Sequence, residues 1–214
     1  MTFSKWEIQK GQDYIAKKKP DFLSVEELAF IEKYVLWLEE TSDWQSDEQT
    51  PGMFKFYKHP IMMYLQFLLQ KEIEKATGLN LLPTYNYFRI YRNGSVLEPH
   101  KDRPACEVSA TMLIGKNYSP SWALHVGDSQ GEVGSASSPY SPIPKTAGET
   151  HQAIVQEVGD FTIYRGCELN HWRETWETDA DNYHIQLFVH YVDADGPYWV
   201  FENDDYKLGT GFSL

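Results

Sequence analysis

Long apolar runs are missing from this 214-residue chain. No stretch approaches the eighteen continuous apolar residues that a membrane-spanning helix needs, so no such helix is expected. The N-terminus, MTFSKWEIQKGQ, has no apolar segment of the kind a secretory signal carries. Cysteine is scarce. Cys106 and Cys167 are the only two, too few for a disulfide framework and without a metal-knuckle spacing, so a reducing, cytoplasmic setting is the expectation. Positive charge is in deficit: 19 Lys and Arg stand against 31 Asp and Glu, a formal charge of −12. Wrapping a duplex or lying on an anionic membrane needs the opposite balance, so neither nucleic acid nor membrane is an expected partner. There is also no Gly-x-Ser-x-Gly elbow and no phosphate-cradling glycine loop.

What is present belongs to a folded chain. Aromatic residues make up 15%, led by 14 Tyr, and that content at this length supplies a core without staples. The length fits a single domain spanning residues 1–214. Residues 1–20 are polar and end in Lys17-Lys18-Lys19-Pro20, which reads as an arm with a solvated charge run. Ser24 and Glu27 form a capping box, with Leu23 placed to staple against Leu28. Leu28, Ile31, Val35 and Leu38 then recur at helical spacing through Glu40. Residues 42–58 read as a polar loop. A second helix starts at Pro60, runs through Leu65, Leu68, Leu69 and Ile73, and stops at Gly78. Residues 1–80 are thus expected to be a helical N-terminal region.

From Tyr85 the period changes to two. Tyr87, Arg89 and Tyr91 alternate with Phe88, Ile90 and Arg92 before the Asn93-Gly94 turn. Further strands are expected at 109–114, 122–126, 153–155, 161–164, 171–176 and 184–192. Many short strands with Gly, Pro and Asn turns point to a sandwich or barrel, with the helices packed on one face. Residues 127–152 are rich in Gly, Ser and Pro, and read as a long loop that closes over a site.

The informative segment is Glu98-Pro99-His100-Lys101-Asp102. On a strand, residues two apart face the same side, so His100 and Asp102 converge. The run Gly159-Asp160-Phe161-Thr162-Ile163-Tyr164-Arg165-Gly166 reads as turn, strand, turn, and delivers His171 at the start of the next strand. Two His and one Asp can occupy one face of an octahedron and leave three positions open for small ligands.

These pieces, with Arg89-Ile90-Tyr91-Arg92-Asn93-Gly94 before them and Ile185-Gln186-Leu187-Phe188-Val189-His190-Tyr191-Val192-Asp193 closing, resemble the Fe(II)/2-oxoglutarate-dependent oxygenases, prolyl-4-hydroxylase-like branch. The resemblance covers residues 85–195, with 196–214 as a C-terminal extension. It implies an α+β, mainly β fold: a double-stranded β-helix (jelly roll) carrying the N-terminal helices. It implies Fe(II) bound by His100, Asp102 and His171, with 2-oxoglutarate and O2 as co-substrates, and hydroxylation of a peptide or small molecule with release of succinate and CO2. Asp102 argues against the halogenating subclass, which has a small residue there. Prolyl residues are one candidate substrate; nothing in the sequence selects it. The second arginine of the nucleic-acid repair branch is absent.

The resemblance also bears on the co-substrate residues. Tyr91 matches a tyrosine that often hydrogen-bonds 2-oxoglutarate, though a strand aromatic in the core reads equally well. The family places Arg or Lys about ten residues after the distal His, where this chain has Thr178-Asp179-Ala180-Asp181-Asn182-Tyr183. His184 takes that slot on alignment from the strand end. Arg173 offers permanent charge and a fork that matches a carboxylate. The expectation is therefore Arg173 as the charge and His184 as a helper, unless Arg173 forms a surface pair with Glu174 or Glu177. Beyond the metal ligands no catalytic residue is named. His125 and His190 read as core or surface histidines, His59 and His151 as loop residues, Asp160 as a turn residue, Cys106 as a weakly exposed thiol and Trp122 as a packing aromatic. Two other readings stay open: a cupin-like protein with different metal chemistry, and a non-catalytic jelly-roll module.

Overall fold

In the computed structural model the described residues are 14–204, except 44, 48, 128–139 and 143–150. In chain order they form β1 (Tyr14–Lys17), α1 (Val25–Thr41), β2 (Gln45–Asp47), β3 (Thr50–Tyr57), α2 (Pro60–Thr77), β4 (Leu81–Tyr91) and β5 (Leu97–Asp102). A 3-10 turn at Pro104–Cys106 leads to β6 (Val108–Lys116), β7 (Leu124–Gly127), β8 (Tyr140–Pro142), β9 (His151–Ile154), β10 (Phe161–Tyr164), β11 (His171–Arg173) and β12 (His184–Asp193). Every strand pair is antiparallel. One sheet has seven strands in the order β1-β10-β6-β12-β4-β3-β2, the other five in the order β8-β5-β11-β7-β9. Two such antiparallel sheets, with helices on one of them, are the jelly roll that the sequence led one to expect.

Both helices begin and end for local reasons. Ser24 Oγ accepts from the Glu27 amide while the Glu27 carboxylate accepts from the Ser24 amide, closing the capping box. At α2, Pro60 occupies the first turn, and Gly78 ends the helix at φ 73°, a left-handed conformation that suits a residue without Cβ. The buried faces of the helices, with Leu28, Ile31, Val35, Met62, Leu65, Leu69 and Ile73, pack on the seven-stranded sheet.

Side-chain alternation divides that sheet cleanly. Phe88 and Ile90 of β4, Ala110 and Met112 of β6, and Ile185, Leu187 and Val189 of β12 join the helix-facing core. Tyr87, Arg89 and Tyr91, Ser109 and Thr111, and His184, Gln186, Phe188 and His190 take the opposite, interior face, all of them buried. The interior face of these strands is therefore lined largely by polar and titratable side chains, while the other face packs the core.

Several expectations need correction. Residues 42–58 are not a loop: they contain the β2–β3 hairpin, which pairs with β4. Pro51 and Gly52 broke the polar-apolar pattern in the sequence, yet Phe54 and Phe56 alternate with Lys55 as a strand requires. The arm includes β1, which pairs with β10 at the sheet edge, where one exposed side permits a polar sequence. So the first eighty residues are not helical throughout. The expected 122–126 and 171–176 strands shrink to β7 and β11, the chain after Arg173 leaving the sheet. Within 127–152, β8 pairs with β5 and β9 with β7. The rest of that expected closing loop lies outside the described residues, as do 1–13 of the arm.

Candidate functional site

His100 and Asp102 are both on β5, and β11 places His171 directly opposite His100. Period-two alternation turns all three side chains to one side of the five-stranded sheet. One ligand atom from each lies within 4.8 Å of the others. His100 Nε2 is 3.6 Å from Asp102 Oδ1, and His171 Nε2 is 3.6 Å from Asp102 Oδ2. All three residues are buried.

The backbone fixes the tautomers. His100 Nδ1–H donates to the Glu98 carbonyl at 2.7 Å, and His171 Nδ1–H donates to the Leu169 carbonyl at 2.9 Å. Each imidazole is thereby left with a lone pair on Nε2, aimed at its neighbours, which is the state a metal ligand needs. Burial, then the adjacent His100, push His171 down to about 4, keeping it neutral. Burial opposes ionisation of Asp102, but His171 and His100 outweigh it and hold the carboxyl well below its ordinary range. Two imidazoles that present Nε2 and one carboxylate make a nitrogen-oxygen donor set suited to a divalent first-row metal.

Asp102 is supported closely from behind. Its amide donates to the Gly166 carbonyl. A Cβ at Gly166 would collide with the Ser109 hydroxyl and lie 2.6 Å from Asp102 Oδ2, so only glycine fits there. Cys106 and His190 also approach Asp102. Cys106 is fully buried, not weakly exposed, because the 3-10 turn folds it inward against Tyr85 Oη at 3.0 Å. Burial pushes its thiol well up, so it stays protonated there. His190 Nδ1 lies 2.9 Å from the Ser109 hydroxyl, while its Nε2 has no partner.

Arg173 follows His171 across a bulge in β11 and is 1% exposed, so it forms no surface pair with Glu174 or Glu177. Its guanidinium donates to the Trp122 carbonyl at 2.6 Å and to Gln186 Oε1 at 3.2 Å, and lies 4.9 Å from the Trp122 ring centroid. Among the described residues no carboxylate pairs with it, and Nε is unsatisfied. A buried cation without a counter-charge is costly unless a ligand supplies one. Tyr91 lies beside it, its ring edge-on to Trp122 and its hydroxyl buried. His184 is close too, but both ring nitrogens are engaged: Nδ1 with Tyr118 Oη at 2.8 Å and Nε2 with Gln186 Oε1 at 2.7 Å. Burial, then Arg173, push His184 well below its ordinary value, so it brings no charge to this region.

Gln49, Arg89 and Lys55 were not singled out in the sequence. Gln49 Nε2 donates to His100 Nε2 at 2.8 Å, the atom a metal would take, and Gln49 Oε1 accepts twice from Arg89 at 3.2 Å. Arg89 was legible in part, because alternation with Tyr87 and Tyr91 had already set its face; the hairpin that answers it had been read as loop. Among the residues given ordinary roles, Trp122 stacks on Trp176, His125 stacks on Trp172, His59 caps α2, His151 opens β9, and Asp160 accepts from the Glu157 amide and from Lys18.

No family model and no curated protein matches the chain. Solved structures do. The epimerase SnoN, in complex with Fe3+, alpha ketoglutarate and nogalamycin RO, is 16% identical with a TM-score of 0.66, over 94% of this chain and 88% of that one. A Pseudomonas putida prolyl-4-hydroxylase is 12% identical with a TM-score of 0.56, over 84% and 93%. HygX from Streptomyces hygroscopicus, with nickel, 2-oxoglutarate and hygromycin B bound, is 13% identical with a TM-score of 0.57, over 83% and 82%. By architecture, this chain has the double-stranded β-helix fold of the 2-oxoglutarate- and iron-dependent oxygenases.

Proposed function

We propose that this protein is an Fe(II)- and 2-oxoglutarate-dependent dioxygenase that hydroxylates a small molecule or a peptide. The observation that carries the reading is the convergence of His100, Asp102 and His171 with both Nε2 atoms left unprotonated by backbone acceptors. The donor set fits Fe(II), and the buried guanidinium of Arg173, which meets no carboxylate among the described residues, fits the far carboxylate of 2-oxoglutarate. The metal, when bound with 2-oxoglutarate and O2, supplies the oxidation: one oxygen atom enters the substrate as hydroxyl, and the other leaves in succinate as CO2 is released.

The chain's own residues do the rest. His100 and His171 donate lone pairs whose direction their Nδ1–H bonds fix. Asp102 contributes the negative charge that offsets part of the cation's. Arg173 orients the co-substrate by pairing with its distal carboxylate, and Gln186 and the Trp122 carbonyl hold the fork in place. Tyr91 adds a hydroxyl donor beside that fork. Trp122, Trp176 and Tyr118 close this side of the site with aromatic surface, which keeps water away from the reacting atoms. The related structures with nogalamycin and hygromycin B bound favour a small-molecule substrate over a peptide.

Anaerobic addition of Fe(II) and 2-oxoglutarate should give a weak visible charge-transfer band, and aerobic turnover should release succinate. Absence of the band with correctly folded protein would rule the reading out. No helix among the described residues is long and apolar enough to cross a membrane.

A further inference from the structure

The interior face of the seven-stranded sheet carries two cations directly opposite each other. Lys55 of β3 is the cross-strand partner of Arg89 of β4. Like charges directly opposite each other destabilise a sheet. Among the described residues Asp47 alone answers both: Lys55 Nζ lies 2.5 Å and Arg89 NH2 2.7 Å from the same oxygen, Oδ2. Two positive groups thus share one carboxylate, leaving an excess of one positive charge. Arg89 is completely buried, and its Nε has no partner.

The pair is placed beside the metal ligands. Gln49 links them, accepting from Arg89 through its oxygen and donating to His100 through its nitrogen. Tyr87 lies beneath both cations, 4.7 Å from Lys55 Nζ and 5.4 Å from the Arg89 guanidinium carbon, and stacks on Phe188 at 4.6 Å. A local positive charge above an aromatic floor, in a chain of net charge −12, is a field that selects ligands by sign. It is separate from Arg173, whose partners are Trp122 and Gln186 on the other side of Tyr91.

We propose that Lys55 and Arg89 form a subsite for the oxyanion of the substrate, so that the molecule hydroxylated here is an organic acid, a carboxylate or a phosphate ester, with its apolar part on Tyr87 and Phe188. The inference rests on the oxygenase reading and names its substrate class. Asp47 keeps the two cations in register while no substrate is present. Lys55, 23% exposed in its side chain, is the member that reaches solvent and meets the anion first.

The test uses the Ni(II)- and 2-oxoglutarate-loaded protein and three probes of like size: phenylacetate, phenyl phosphate and phenylacetamide. Calorimetry should show one or both anions binding at least tenfold more tightly than the amide, with the preference shrinking as salt is raised. The better anion identifies carboxylate or phosphate as the group recognised. Lys55→Met should remove most of the preference while metal affinity stays as in the unaltered protein. Equal affinity for acid and amide, no binding of any probe, or an unchanged preference in Lys55→Met would each overturn the subsite. A succinate-release screen of acids paired with their amides gives the second measurement: turnover stimulated equally by both members of the pairs refutes the proposal even if the variant misfolds. Loss of Ni(II) and 2-oxoglutarate binding altogether would instead count against the oxygenase reading, so the two failures are distinct.

Discussion

Replacing Arg173 with methionine should make the protein more stable and its co-substrate weaker. This guanidinium is buried among Trp122, Tyr91 and Gln186 with no carboxylate among the described residues to offset it, and burial pulls its pKa down. Methionine is of similar length and adapts to the same aromatic surroundings. It forfeits the bonds to the Trp122 carbonyl and Gln186 Oε1, each worth about 1 kcal/mol, but removes a desolvation penalty of several kcal/mol. The net expected gain is about 1–2 kcal/mol, or roughly 2–8 °C in Tm for a chain of this size. Binding should move the other way. Losing one partner of a buried charged pair costs about 2–5 kcal/mol, which is at least thirtyfold in Kd. Thermal shift with Ni(II) present reads both effects. At a 2-oxoglutarate concentration a hundred times the Kd of the unaltered protein, the ligand should stabilise that protein by about 2.7 kcal/mol, and the variant by less than about 1. A variant that melts lower than the parent, yet keeps the full ligand-induced shift, would show that Arg173 is structural and that the co-substrate anchor lies elsewhere.

The remaining predictions concern neighbouring groups. His100→Ala, Asp102→Ala and His171→Ala should each weaken Ni(II) binding at least tenfold by titration; an affinity unchanged in any of them removes that residue from the ligand set. Gln49→Ala frees His100 Nε2 of a competing hydrogen bond worth about 0.5–1.5 kcal/mol, so metal affinity should rise about fivefold, and a fall would mean that Gln49 helps to assemble the site. Glu107 is raised to about 7 by burial, with Asp193 adding repulsion against the bond from the Asp193 amide. Its folded-state pKa therefore exceeds the unfolded one, so the folded chain holds the proton more tightly, and stability is lost as pH rises from about 4.5 to about 7. Glu107→Gln keeps the acceptor without the charge and should raise Tm at pH 8 by several degrees while leaving pH 4 unchanged; equal Tm at pH 8 would refute the shift.

The convergence of the three candidate ligands was legible because its logic is local: alternation sets His100 beside Asp102, and a short strand delivers His171. The helices were legible from their caps. The hairpin was not, since Pro51, Gly52 and a polar flank conceal a strand whose stability comes from pairing with β4, a contact distant in sequence. For the same reason Gln49 and Lys55 went unseen, although Arg89, which they meet, lay on a face already read from Tyr87 and Tyr91. Cys106 was misjudged because exposure depends on how the 3-10 turn folds under Asp102, which no spacing records. His184 filled the family's slot by alignment, yet its two nitrogens are engaged by Tyr118 and Gln186.

The division of β4 into a helix-facing row and a barrel-facing row bears on which length changes the chain tolerates. Point substitutions on one row leave the other in place. Adding or deleting one residue within β4 exchanges the rows beyond that point, sending Phe88 and Ile90 into the polar interior and Arg89 beneath the apolar helices. Recognition on this strand is therefore open to retuning by substitution and closed to retuning by single-residue insertion or deletion. New specificities reached through length changes have to arise in the connections between strands, such as the Asn93-Gly94 turn that follows β4.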